Sequence, residues 1–141
     1  MEYRNFGSAL VARLDKGEEI MEQLRALCQK EKITLASLQA IGATDDLTLG
    51  IFNVNTKEYK TLRFNDKSYE ILSLNGTVTT KDGEFYPHLH ISIADEKGNA
   101  FGGHFVSANI SVTMEMVIRP IDGTVERQFN EDIGINTLHF I

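Results

Sequence analysis

Alternating apolar and polar positions dominate this chain and predict a strand-rich fold. The wider apolar spacing of an amphipathic helix stands out over residues 18–32. Asp15 is the predicted N-cap of this helix, with Glu18 three residues later, the spacing of a capping box. The predicted buried stripe of the helix consists of Ile20, Leu24, Leu27 and Cys28.

The strand predictions follow the alternation and the glycines that interrupt it. Short runs rich in β-branched and aromatic residues are bounded by turn residues, which favours hairpins and mostly antiparallel pairing. The helix would then cover one face of the sheet, which is an α+β arrangement. The predicted strands span residues 6–13, 33–41, 47–53, 58–64, 69–80, 88–94, 100–105, 111–119 and 124–129.

Three of the four histidines lie in one predicted hairpin. His88 and His90 are two residues apart in a strand, so their side chains point to the same face. The turn residues 95–99 include a glycine, and a loop centred on Lys97 would place His90 directly opposite His104. Facing side chains on neighbouring strands are close enough for imidazoles to reach a single ion. The spacing therefore predicts a metal site formed by His88, His90 and His104.

The two faces of this hairpin differ in composition. The histidine face is otherwise small or polar and leaves space above the imidazoles, whereas the opposite face is apolar. Three protein ligands with a vacant position for water or a small molecule are typical of catalytic zinc, while structural zinc normally has four. Zinc is therefore the expected ion, and imidazoles also suit iron, copper and nickel. The predicted core residues on the apolar face are Leu89, Ile91, Ile93, Phe101 and Phe105.

Length and composition predict one domain over residues 1–141. No stretch is apolar enough to span a bilayer, and the first residues lack the layout of a signal peptide, so a cytoplasmic protein is expected. The single cysteine, Cys28, excludes an intrachain disulfide and is predicted to be a small core residue rather than a nucleophile.

The net charge of −6 disfavours DNA as a partner. Proteins that bind nucleic acid non-specifically need clustered lysines and arginines that displace counterions from phosphates. The densest basic segment, residues 57–67, intersperses its cations with carboxylates, which is typical of a solvated face. Its basic residues are Lys57, Lys60, Arg63 and Lys67.

Six segments carry a family resemblance. They are RLDKGEEI (13–20), AIGATDDLTLGIF (40–52), TKEY (56–59), YEILSLNGTV (69–78), HLHISIADEKGNAFGGH (88–104) and TMEMVI (113–118). Together they resemble the PPC domain, the plants and prokaryotes conserved domain, and the combination of EILSLNG with HLH and GGH is the most specific part. The resemblance covers about residues 5–120 and leaves residues 121–141 as a C-terminal extension.

The resemblance implies a partly closed barrel of mostly antiparallel strands packed by one main helix, assembled as a homotrimer. It also implies a metal held by the histidines matching His88, His90 and His104, which the hairpin argument reaches independently. Residues 71–74 and 114–118 have apolar side chains on both faces of the strand, and both faces must then be shielded from water. Contacts between subunits would provide this burial. Plant members carry DNA-contacting AT-hooks in front of this domain, and no Arg-Gly-Arg-Pro segment occurs here, so direct DNA binding is a disfavoured alternative.

Two further alternatives remain open. The PPC fold is similar to that of acetolactate decarboxylase, a zinc enzyme with a three-histidine metal site, and this analogy suggests a metal-dependent lyase acting on a small oxo or hydroxy acid. The acid–base candidates are Arg13, Glu70 and Glu115, for which strong non-catalytic explanations are a subunit-interface arginine, a strand-end carboxylate and a partner in a buried ion pair. The other alternative is a binding module or sensor in which the metal organises a pocket without turnover. Asp95 is expected to be only a turn residue.

Overall fold

Nine strands and one helix make up the fold. The computed structural model describes every residue from 1 to 141. Along the chain the elements are β1 (Glu2–Asn5), β2 (Leu10–Asp15), α1 (Ile20–Lys30), β3 (Ala36–Asn53), β4 (Glu58–Phe64), β5 (Tyr69–Lys81), β6 (Glu84–Ala94), β7 (Ala100–Pro120), β8 (Glu126–Asn130) and β9 (Ile135–His139).

The nine strands form one sheet that closes partly on itself. The two longest strands are its centre, since β7 pairs with β2, β3 and β6, while β3 pairs with β4, β5 and β7. Because β5 also pairs with β6, the strands β3, β5, β6 and β7 form a closed antiparallel ring. The predicted α+β class, a mostly antiparallel and partly closed barrel with one main helix, is confirmed.

Helix α1 packs against β7 and buries the predicted stripe. Its buried residues are Ile20, Leu24, Leu27 and Cys28. Cys28 is 2% exposed, which confirms it as a core residue, and this burial raises the pKa of its thiol to about 12. No helix combines the length and the apolar character needed to cross a membrane.

The predicted helix cap is wrong. Glu19, not Asp15, is the N-cap, because its carboxylate accepts a hydrogen bond from the backbone N–H of Glu22 at 2.7 Å. The same carboxylate accepts from the N–H of Ala108 at 3.1 Å, which ties the start of the helix to β7. Asp15 is the last residue of β2, and its carboxylate pairs with Arg13 instead.

Two pairs of predicted strands are in fact two single long strands. The predicted strands 33–41 and 47–53 merge into β3, except that residues 33–35 precede it, and the predicted strands 100–105 and 111–119 merge into β7. The polar residues between the predicted segments lie at β-bulges, where the β3–β7 register shifts on both sides of Thr44. Thr44 is fully buried, and its hydroxyl donates to the backbone carbonyl of Asn109 at 2.7 Å, which holds the strands together at the irregularity.

Both ends of the chain contain a hairpin that the sequence pattern missed. The first predicted strand, residues 6–13, is only partly correct: residues 6–9 form a turn with φ of +83° at Gly7, and this turn joins β1 to β2. Strand β9 was not predicted, and it pairs with β8 to form what we call the C-terminal hairpin. This hairpin joins the end of β5 through a parallel bridge between Thr80 and Glu126.

Candidate metal centre

The hairpin formed by β6 and β7 has the predicted register. His90 lies directly opposite His104, as expected for a loop centred on Lys97. The loop is held by Asp95, whose carboxylate accepts from the backbone N–H groups of Lys97 and Asn99, each at 2.9 Å. Asp95 is therefore a turn residue, as predicted.

The apolar face of this hairpin is buried with one exception. Leu89, Ile91, Ile93 and Phe105 are all at most 3% exposed. Phe101 is 40% exposed, so its assignment to the core is wrong. It is the second residue of β7, at the rim of the barrel, where its ring packs against Phe64 with centroids 5.4 Å apart and one side faces solvent.

The three histidines converge. One ligand atom from each of His88, His90 and His104 lies within 4.8 Å of the other two. The ring centroid of His88 lies 5.3 Å from the ring centroid of His90 and 5.3 Å from that of His104. The ring centroids of His90 and His104 are 5.8 Å apart. His104 Nδ1 is the one buried side-chain polar atom in the chain without a hydrogen-bond partner. A buried polar atom left unpaired is costly, and an ion between the rings would satisfy it.

Strand β5 supports two of these histidines from the side. Thr77 lies opposite His88, and Asn75 lies opposite His90, so all four side chains are on the outer face of the barrel. Gly76 lies between them with φ of +150°. A Cβ atom at this position would be 2.1 Å from the carbonyl oxygen of His88, so the close approach of β5 and β6 at the site requires a glycine.

Strand β4 contributes an aromatic wall. The Tyr59 ring packs against the His104 ring with centroids 5.3 Å apart. Gly50 in β3 makes room for it, because a Cβ atom there would be 2.9 Å from Tyr59 Cδ1. The face above the imidazoles is therefore less open than its small and polar hairpin residues suggest.

A cavity of about 260 Å³ opens beside His88 and His104. Its other walls come from β4, from the start of β6 and from the C-terminal hairpin. They include Tyr59, Tyr86, Pro87, Arg127, Phe129, Ile135 and Asn136. Arg127 is the one arginine, lysine or carboxylate residue in the lining, and it is 8% exposed.

Sequence reasoning missed Arg127 as a site residue, and no signal in the sequence would have found it. It stands in a short alternating strand of a segment that carries no recognisable motif. Its side-chain partners, Thr77 and Thr79, are 50 and 48 residues away in the chain. Only the packing of the C-terminal hairpin beside β5 brings it to the histidines.

The electrostatics of the cavity favour neutral imidazoles. Burial lowers the pKa of His88, and the positive charge of Arg127 lowers it further. Burial likewise lowers the pKa of His104, with a smaller effect from His90. Neutral imidazole is the form of histidine that binds metal ions, so the environment suits a ligand role.

The acid–base candidates from the sequence lie elsewhere. Glu70 pairs with Ala94, four residues along β6 from His90, or about 13 Å at the usual strand rise. Glu115 lies on β7 opposite Arg13 and Ile41, far along the strand from His104. The Arg13 guanidinium pairs with Asp15 at 2.9 Å and with Glu2 at 3.4 Å.

The basic segment forms no concentrated positive surface. Arg63 makes two hydrogen bonds to the carboxylate of Asp46, at 2.9 and 2.8 Å, and Lys57 donates to the backbone carbonyl of Glu131. The fourth histidine, His139, is an exposed residue at the end of β9 and does not belong to the cluster.

A family model described as the Plants and Prokaryotes Conserved (PCC) domain matches residues 1–122. The chain belongs to this family. The resemblance stated from the sequence segments is thereby confirmed, since PPC and PCC name the same domain. The C-terminal hairpin, with Arg127, lies beyond the residues that the PCC model matches.

Solved structures of similar proteins agree with this PCC membership. A Bacteroides thetaiotaomicron protein with a provisional DNA-binding name is 31% identical, with a TM-score of 0.94 over 99% of this chain and 96% of its own. A metal-containing protein from Archaeoglobus fulgidus is 30% identical, with a TM-score of 0.89 over 99% of this chain and 97% of its own. No curated protein matches the chain.

The expected likeness to acetolactate decarboxylase is confirmed at the level of the fold. The Bacillus subtilis enzyme superposes with a TM-score of 0.59 over 86% of this chain and 57% of its own. At 16% identity this likeness shows that the PCC fold is shared, and it assigns no activity to this chain.

Proposed function

We propose that this protein binds a divalent transition metal through His88, His90 and His104, and that the metal is zinc. The observation that carries the proposal is the convergence of the three ligand atoms within 4.8 Å of one another. The Nδ1 atom of the half-buried His104 supports it, because this nitrogen is inaccessible to solvent and has no hydrogen-bond partner in the protein. The name of the Archaeoglobus relative as a metal-containing protein agrees with it.

The choice of zinc rests on the donor set. Three imidazoles with no cysteine at the site are typical of zinc centres that keep a position for water or substrate. Such a centre, when loaded, acts as a Lewis acid on a bound oxygen or lowers the pKa of bound water. Imidazole also binds iron, copper and nickel, so the element itself must be measured.

Metal analysis of the protein purified without a histidine tag tests the proposal directly. We expect about one metal ion per chain, with zinc as the main element. An anomalous-scattering map of a crystal should place that ion between the three imidazoles. Metal-free protein that also takes up none on incubation with Zn²⁺, or an ion bound elsewhere, would contradict the proposal.

We also propose that the chain assembles as a homotrimer. The family resemblance implies this stoichiometry, and two neighbouring grooves on the sheet support self-association. The first, the Leu72 groove, is lined by Ile41, Leu72 and Val112 together with Glu70 and Glu115. The second, the Val11 groove, is lined by Phe6 and Val11 together with Glu2, Arg4, Arg13 and the shared Glu115.

The composition of the grooves suits contact between copies. Val112 is 65% exposed, Ile41 56% and Leu72 49%, which is unusual for large apolar residues in the middle of strands. The charged residues of the Leu72 groove are carboxylates. The arginines of the Val11 groove already form ion pairs within the chain, so burial of the apolar residues rather than charge would drive the contact. A head-to-tail contact between different grooves gives a closed ring when the rotation between neighbouring copies closes, and a trimer is a ring of this kind.

Val112→Glu should convert the trimer to a monomer. The substitution places a carboxylate in an apolar groove that already contains Glu70 and Glu115, so burial of the groove becomes unfavourable. Light scattering after size-exclusion chromatography should show a fall from three chain masses to one. Val54→Glu, at a 71% exposed position between β3 and β4, is the control and should stay trimeric. A trimeric Val112→Glu protein would show that the interface lies elsewhere.

DNA binding ranks below metal binding as the function. The negative net charge and the pairing of Arg63 with Asp46 leave no cluster of free cations for phosphates. A lyase activity has only the shared fold in its favour. The cytoplasmic location expected from the sequence remains a prediction.

A further inference from the structure

Arg127 is a buried charge without a countercharge. Its side chain is 8% exposed, and it belongs to none of the ion pairs in the chain. Its three hydrogen bonds go to neutral oxygens: Thr79 Oγ1 at 3.1 Å, Thr77 Oγ1 at 3.4 Å and the backbone carbonyl of Asn136 at 3.5 Å. Buried guanidinium groups are normally paired with an anion, because desolvating the charge is otherwise costly.

The guanidinium also has unused donors. It has five N–H groups in a planar fork, and the structure gives it three hydrogen bonds, two of them long. The Tyr86 ring lies 5.7 Å from the guanidinium carbon, near the outer limit of a cation–π contact. The protein therefore fixes the position of Arg127 without neutralising it.

The location of Arg127 places this charge at the proposed metal site. Arg127, His88 and His104 line the same cavity. A divalent cation at the histidines would add a second centre of positive charge. Two cationic centres in one partly buried cavity repel each other unless an anion lies between them.

The dimensions and lining of the cavity indicate what kind of anion fits. Its volume of about 260 Å³ is below the range usual for drug-sized ligands, so the occupant has only a few heavy atoms. Pro87, Phe129 and Ile135 give part of the wall an apolar character, which suits a short carbon skeleton better than an inorganic oxyanion. Guanidinium groups bind carboxylates through two parallel hydrogen bonds.

We infer that this cavity binds a small organic carboxylate, with its carboxylate held by Arg127 and its other end directed to the histidines. The inference rests on the proposed metal function and adds to it the chemical class of the ligand. It assigns Arg127 as a ligand-binding residue, supplied by a hairpin outside the matched family domain. The apolar wall around Phe129 and Ile135 would contact the carbon skeleton.

The test compares lactate with lactamide on zinc-loaded protein. The two probes have nearly the same shape, and only lactate carries the negative charge. Titration calorimetry should show lactate binding at least about tenfold more tightly than lactamide, because a charge-assisted contact is lost in the amide. Equal affinities would overturn the inference, and so would sulfate binding as tightly as lactate, which would indicate an inorganic oxyanion site.

Variants of Arg127 distinguish the contribution of the arginine to lactate binding from that of the metal. Arg127→Gln should lower lactate affinity about tenfold or more and leave the zinc content unchanged, while Arg127→Lys should retain part of the affinity. Arg119→Gln, at an exposed position near the end of β7, makes the same charge change outside the cavity and should bind lactate as the unmodified chain does.

Zinc is measured in every sample before titration, so two failures can be told apart. Protein that cannot be loaded with zinc contradicts the metal proposal and, with it, this inference. Zinc-loaded Arg127→Gln with unchanged lactate affinity overturns the inference alone. Should Arg127→Gln fail to fold, Arg127→Lys takes its place, and a zinc-loaded Arg127→Lys protein that binds lactate as tightly as the unmodified chain overturns the inference.

Discussion

Replacing both His88 and His90 with alanine should reduce bound metal from about one ion per chain to background. His104 alone would remain, and a single imidazole cannot hold a divalent ion against water and buffer. The unmodified protein should also be stabilised by zinc, by about 2.7 kcal/mol at a free concentration one hundred times the dissociation constant, or several degrees in Tm. The double variant should show no such shift. Elemental analysis and thermal denaturation with and without zinc measure both effects.

His139→Ala is the matched control for this experiment. It removes an exposed imidazole at the end of β9 that does not belong to the cluster, so metal content and the zinc-dependent shift should be unchanged. Metal retention by the double variant would disprove the site. Equal loss of metal in the control would show that binding is not specific to the hairpin.

The convergence of the three histidines could be predicted because the pairing of residues in a hairpin follows from the position of its turn. Once Asp95 and a glycine mark the turn, the centre of the loop fixes which residues face each other, and strand alternation fixes which side chains share a face. Both rules act over fewer than twenty residues. The convergence of His88, His90 and His104 therefore depends on local structure that the sequence contains.

The rest of the cavity depends on contacts that local rules do not reach. Tyr59 approaches His104 because Gly50 lacks a side chain, and Arg127 reaches the site because a terminal hairpin packs beside β5. Each contact joins segments that are distant in the chain, and the closure of the sheet determines which segments meet. The alternation of apolar and polar residues along one strand does not indicate which distant segments will meet.

The strand boundaries show a similar limit. The glycine and acidic residues around Thr44 have the composition of a turn, and they divide β3 into two predicted strands. In the structure β7 runs alongside the whole segment, and pairing with it keeps the chain extended through a bulge. A long partner strand thus outweighs the local preference for a turn.

Gly76→Ala should be the most damaging single substitution near the site. A Cβ atom there would lie 2.1 Å from the backbone carbonyl oxygen of His88 and 3.0 Å from Leu89 Cα, so β5 and β6 must separate. The backbone φ of +150° adds strain for any residue with a side chain. We expect the free energy of unfolding to fall by about 3 kcal/mol or more. Denaturant unfolding measures this loss.

The same substitution should also weaken metal binding, because the strand that must move carries His88 and His90. Gly83→Ala is the matched control: its φ of +78° also disfavours alanine, but nothing lies within 4 Å of the added Cβ atom. It should cost about 1 kcal/mol from backbone strain and leave zinc content intact. If both variants lose the same stability and both keep their zinc, the close approach of β5 to β6 does not determine the geometry of the histidines. If only Gly76→Ala loses zinc, the spacing of these two strands is part of the metal site.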